Sequence, residues 1–113
     1  MELADGHCKA CPPGSGPLAP AEVARLGSET PGWEVAADRL RRTWQLASFP
    51  EAIRFVTGIA ALAEAEQHHP DLHVLYDRVE VVLWTHTVGG LSRNDFVMAA
   101  KIDRLLDDYS IVA

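Results

Sequence analysis

Cysteine is scarce in this chain. Cys8 and Cys11 are the whole complement, and two thiols three residues apart do not make the disulfide framework of a small secreted domain. Positive charge is also short: 10 Lys and Arg stand against 16 Asp and Glu, a formal net charge of −6. An acidic surface repels phosphate backbones, which argues against nucleic-acid binding. No basic amphipathic stretch suggests a membrane surface. No apolar run reaches the ~18 residues of a membrane span. Glu2 and Asp5 stand where a secretory signal would carry positive charge, and no apolar stretch follows them. The chain is therefore expected to be cytoplasmic. Three catalytic signatures are missing as well: HExxH, G-x-S-x-G, and any Gly-rich phosphate loop leading into a helix.

What remains is a globular composition. The 113 residues are 48% hydrophobic and 23% charged, enough for one domain with a real core and too little for two. Residues 1–17, with the run Pro12-Pro13-Gly14-Ser15-Gly16-Pro17, read as a flexible tail, and 18–113 as the domain. Pro20 suits the first turn of a short helix that Gly27 and Pro31-Gly32 end. Trp33 to Val35 starts a hairpin that turns near Asp38 and returns with Leu40, Trp44 and Leu46 on one face.

Ser48-Phe49-Pro50-Glu51 is a capping-box pattern, with Pro50 in the first turn. It opens a helix striped by Ala52, Phe55, Val56, Ile59, Leu62 and Ala63, which Pro70 should end near 67–69. A second hairpin runs from Leu72 to Tyr76 and from Val79 to His86, turning at Asp77-Arg78. Val79, Val81 and Leu83 share one face of it. Glu80, Val82, Trp84 and His86 share the other, which is apolar enough to suggest a second covering surface. Ser92 and Asp95 at N3 begin a last helix. The order α-β-β-α-β-β-α with short hairpins implies a two-layer α+β domain, with helices on one face of an antiparallel sheet.

Four of the five histidines fall between 68 and 86. His68, His69, His86 and Asp95 lie at the ends of elements that can meet at one rim of the sheet, and Glu64 precedes His68 by one helical turn. Each has a plain structural reading too. His68 suits a helix C-terminus through the macrodipole. His69 before Pro70 can be loop, Glu64 a solvated charge, His86 a satisfied strand-end residue, and Asp95 a capping group. His73 has no partner at a telling spacing. A catalytic metal is disfavoured because the i, i+4 pair is Glu64 and His68 rather than two histidines. On the tail, His7, Cys8 and Cys11 offer three ligands where structural zinc needs four. General acid–base chemistry by imidazole fits what is left.

The spacing Glu64-x3-His68-His69-Pro70-x5-Tyr76-x9-His86-x8-Asp95 resembles the pterin-4a-carbinolamine dehydratases, also called 4a-hydroxytetrahydrobiopterin dehydratases. Gly32-Trp33, the helix opening at Phe49–Phe55, Thr85-His86, Gly89-Gly90-Leu91 and the helix over Asp95–Asp103 extend the resemblance to about residues 18–107. It implies a four-stranded antiparallel sheet with helices on one face, and a homodimer or homotetramer. The implied activity is dehydration of a 4a-hydroxytetrahydropterin to the quinonoid dihydropterin, recycling the cofactor of aromatic amino acid hydroxylases. That step needs a proton delivered to the departing hydroxyl and another removed from N5, with no cofactor or metal.

The resemblance assigns His68, His69 and His86 to acid and base catalysis. Glu64 would orient a pocket histidine, Asp95 would support His86, and Trp33 would pack on the pterin. Some bacterial members also carry the N-terminal pattern of His7-Cys8-x-x-Cys11. A second reading comes from another class: some relatives act as RuBisCO assembly factors in carboxysome-bearing bacteria, and others as dimerisation cofactors of a transcription factor. A hydroxylase or RuBisCO is thus a possible protein partner.

Overall fold

The computed structural model describes residues 2–12 and 14–113. Met1 and Pro13, both within the expected tail, lie outside the described residues. Helix α1 (Pro20–Gly27) precedes the hairpin β1 (Glu34–Ala36) and β2 (Arg39–Gln45). Helix α2 (Phe49–Glu66) leads to the hairpin β3 (Asp71–Leu75) and β4 (Arg78–Leu83), and α3 (Arg93–Leu105) follows. The strands form one antiparallel sheet in the order β1-β2-β4-β3. This is the α+β order expected. Among the described residues, no helix is long and apolar enough to cross a membrane.

Period-two alternation places Leu40, Trp44, Val79, Val81 and Leu83 on the covered face, all buried. In register, Leu40 lies opposite Leu83 and Trp44 opposite Val79. Against them α2 sets Phe55 and Ile59, and α3 sets Phe96 and Ile102. The rings of Trp33, Trp44 and Phe55 meet edge to face, with centres 5.5 and 5.2 Å apart.

The other face differs from the apolar surface expected. Val82 is half-buried, opposite Arg41 on one side and Asp71 on the other. Around it runs a ladder of charges: Arg41 pairs with Glu34 at 2.8 Å and lies 4.0 Å from Glu80, which His73 also approaches at 4.0 Å. The Arg39 guanidinium lies 3.6 Å from the centre of the Trp84 ring. Charged partners on neighbouring strands thus shield these two apolar residues within one chain.

Three local readings are corrected. The second hairpin turns at Tyr76-Asp77, one residue early, with Tyr76 left-handed at φ 59. Ser48 accepts from the Glu51 N–H, but Glu51 does not return the bond. Its carboxylate instead accepts from the Ser110 N–H at 2.7 Å and tethers the C-terminal segment. The N-terminal segment is also more ordered than a tail. Leu3–Asp5 form a 3-10 turn, Leu3 and Ala4 are buried, and the Lys101 ammonium donates to the Ala4 carbonyl at 3.0 Å.

Candidate active site

Helix α2 ends where the site begins. Gln67 is left-handed at φ 52, and the His68 N–H returns to the Ala63 carbonyl at 3.2 Å. This bend takes His68 and His69 off the helix, so the expected one-turn pairing of Glu64 with His68 does not form. Glu64 instead meets His69, Oε2 to Nε2 at 2.5 Å, at the surface.

His68 turns inward to Asp95. Its Nε2 lies 2.7 Å from Asp95 Oδ1, with the imidazole 12% exposed and the carboxylate 0%. Asp95 Oδ2 accepts from the Thr85 hydroxyl and from the Ser92 N–H, both at 2.9 Å, the second bond being half of the α3 capping box. The Thr85 and Ser92 hydroxyls lie 2.7 Å apart. These donors satisfy the oxygens of a carboxylate that has no access to water. With Asp95 as acceptor, His68 carries its proton on Nε2, which leaves the Nδ1 lone pair free. Nδ1 has no protein partner among the described residues and is not sealed from solvent.

His86 follows β4 in a 3-10 turn, His86–Val88, closed by left-handed Gly89 at φ 67. The Thr85 N–H bonds to the Gly90 carbonyl across this turn at 2.8 Å. The expectation that Asp95 supports His86 is corrected, because Asp95 is committed to His68. His86 rests on Trp84, with ring centres 3.6 Å apart. The Trp84 indole N–H points to Asp71 Oδ2 at 3.3 Å.

His68, His69 and His86 line one cleft of about 570 Å³, together with Trp84 and Thr85. That is room for a small bicyclic ligand. Asp95 stands behind it. Trp33 does not join them. It is buried, donates its indole N–H to Asp103 at 3.0 Å, and borders a different cavity, beside α1. The expected pterin contact is therefore replaced by a core role. His73 lies on the charged sheet face, away from the cleft.

The helix cap read from the sequence pairs Ser92 with Asp95, as the structure does. Sequence reasoning did not find Thr85 as a partner of Asp95, nor Glu66 and Asn94, which border the same cleft and carried no signal. Among the described residues, no three His, Cys, Asp or Glu side chains are grouped to hold a metal ion.

The two-layer fold is that of the pterin dehydratase-like proteins. A solved transcriptional coactivator/pterin dehydratase from Brucella melitensis superposes with a TM-score of 0.75 and 28% identity, covering 80% of this chain and 98% of that one. The chain belongs to the pterin 4 alpha carbinolamine dehydratase family, whose model matches residues 16–105. A Rubrobacter xylanophilus protein named "Putative pterin-4-alpha-carbinolamine dehydratase" is 44% identical over 92% of this chain and 98% of its own length. One of the same name from Chlorobium limicola is 46% identical over 88% of this chain and 92% of its own. A pterin dehydratase-like protein described as a RuBisCO assembly factor in the alpha-carboxysome shares the fold, with a TM-score of 0.53 and 23% identity.

Proposed function

We propose that the protein dehydrates a 4a-hydroxytetrahydropterin to the quinonoid dihydropterin by imidazole acid–base catalysis, and so serves aromatic amino acid hydroxylation. The observation that carries this reading is the His68–Asp95 contact, which leaves His68 Nδ1 as a proton acceptor in a cleft shared with two more imidazoles. In the reaction the N5–H bond breaks, its electron pair forms the C=N bond to C4a, and the 4a C–O bond breaks. His68 Nδ1 takes the N5 proton. His69 or His86 gives a proton to the departing hydroxyl, which leaves as water. Atoms and charge balance without an external reductant or oxidant.

Self-association belongs to the same reading. Among the described residues strand β3 pairs only with β4, which leaves its outer edge for another strand.

The direct test is the rate of quinonoid dihydropterin formation from a 4a-hydroxytetrahydropterin. Purified protein should accelerate it, and His68→Ala should lose about 10²–10⁴-fold in kcat. Wild-type protein that adds nothing to the buffer rate would sink the proposal and favour a binding role of the RuBisCO-assembly kind.

A further inference from the structure

The His7-Cys8-Lys9-Ala10-Cys11 segment is a wall of the histidine cleft. Cys8, Lys9, Ala10 and Cys11 border the same space as His68 and His86. The segment is fixed by two side chains from different helices. Glu66, in the last turn of α2, accepts from the Cys8 N–H at 2.8 Å through Oε1, and its Oε2 meets His7 Nδ1 at 2.9 Å. Asn94, in the first turn of α3, accepts from the Lys9 N–H at 2.9 Å and donates to the Lys9 carbonyl at 2.6 Å. That two-way pairing imitates a strand neighbour and sets the backbone of Lys9 in one position. The Cys8 thiol closes the clamp by donating to the Asn94 carbonyl oxygen at 3.6 Å.

The chemistry of Cys8 fits a wall and not a reactive group. Burial, with the negative charges of Glu66 and Asp95 nearby, pushes its thiol up to about 12. A thiol that stays protonated is a poor nucleophile and a poor metal ligand. Nor does a third metal-ligating side chain join the two cysteines among the described residues. The segment therefore supplies shape.

We infer that residues 7–11 form a strap completing the pterin subsite, and that Glu66 and Asn94 are positioning residues for substrate affinity. The inference rests on the dehydratase reading and adds a determinant of KM to it. A bound pterin covers the strap, and a released strap leaves the cleft open on one side with the histidines in place.

The test uses native protein and one variant, with 7,8-dihydrobiopterin as the stable probe. In wild type, saturating dihydrobiopterin should slow iodoacetamide alkylation of Cys11 about tenfold. Asn94→Ala should weaken dihydrobiopterin Kd and raise KM by about tenfold, the loss of one good contact, with kcat within about twofold. A KM effect without a kcat effect is what general destabilisation would not give. Thiols that the ligand leaves unprotected, or an unchanged Kd in Asn94→Ala, overturn the inference. The two readings fail differently: wild-type protein that neither binds nor turns over pterin removes the dehydratase reading, whereas full wild-type activity with an unaffected variant removes only the strap.

Discussion

Asp95 Oδ1 and His68 Nε2 lie 2.7 Å apart, joining the start of α3 to the segment just beyond α2. One carboxylate thus caps a helix and fixes a tautomer, and the two tasks can be separated by substitution. Asp95→Asn keeps one oxygen: if it stays on Thr85 and the Ser92 N–H, the NH2 group faces the His68 Nε2–H, and if it turns to His68, the NH2 group faces the Ser92 N–H, so with the present tautomer a donor faces a donor in either orientation. A buried donor left unpaired costs about 1–3 kcal/mol. Urea unfolding at neutral pH should show that loss, and kcat should fall about 10²-fold or more as the His68 tautomer is released. Unchanged turnover with reduced stability would leave Asp95 as a cap alone.

If one imidazole must be neutral and another protonated, acid removes the base and alkali removes the acid. The kcat/KM profile of wild-type protein should then be bell-shaped. His69→Ala and His86→Ala should identify the acid, since losing it removes the alkaline limb and leaves the acid limb in place. A metal chelator should leave the profile unchanged. A chelator-sensitive rate would replace imidazole acid–base catalysis with metal-assisted chemistry.

Much of this architecture is legible along the chain because it is local. The stripe of Ala52, Phe55, Val56, Ile59, Leu62 and Ala63 and the alternation of Val79, Val81 and Leu83 each report one covered face, and the structure buries all of them except Val56 and Leu62, which are half-buried at its margin. Asp95 at N3 of its helix is equally local. Its second partner is not, because His68 lies 27 residues away and is aimed by the left-handed bend at Gln67. Nothing in the residue types says that Asp95 chooses His68 over His86, or that Glu66 and Asn94 hold a segment more than 50 residues distant. Trp33 is the converse case. A tryptophan beside a turn suits either a ligand or a core, and only the tertiary neighbours Trp44 and Asp103 decide.

Trp33→Phe should therefore act on stability and not on the site. The substitution keeps most of the ring packing and removes the N–H to Asp103, a half-buried carboxylate that also pairs with Arg42. A lost hydrogen bond to a charged acceptor is worth about 1.5–3 kcal/mol. Thermal unfolding should show the loss, while KM for the pterin stays within about twofold. A KM effect at unchanged stability would return Trp33 to the binding site.

Glu66 makes stability depend on pH. The Cys8 N–H first, then His7, hold its carboxyl below the ordinary value of 4.5. A carboxyl depressed in the folded state adds stability that is fully present above 4.5 and is lost as pH falls through its lower folded value. Wild type should be more stable than Glu66→Gln at pH 7, and the gap should close below pH ~4 as Glu66 protonates. A gap that stays constant across that range would mean that charge plays no part in holding the strap.

Gly58 and Tyr109 provide a check on packing remote from the cleft. Within an exposed helix, Gly to Ala ordinarily stabilises by about 1 kcal/mol. At Gly58 an added Cβ would lie 2.1 Å from the Tyr109 hydroxyl and 3.1 Å from ring carbon Cζ. The ring packs on Phe55, 5.3 Å away on centres, with the Arg54 guanidinium 5.0 Å from its centre, so its retreat would give up these contacts. Gly58→Ala should therefore destabilise by about 1–3 kcal/mol, the usual cost of overpacking. Tyr109→Phe removes the oxygen and relieves the closest contact, so the same Gly58→Ala change should cost less in that background. In Tyr109→Ala it should become stabilising, because only helix propensity remains. Urea unfolding of the four variants of each cycle measures this directly. An equal effect of Gly58→Ala in all three backgrounds would show that Tyr109 does not occupy that space in solution.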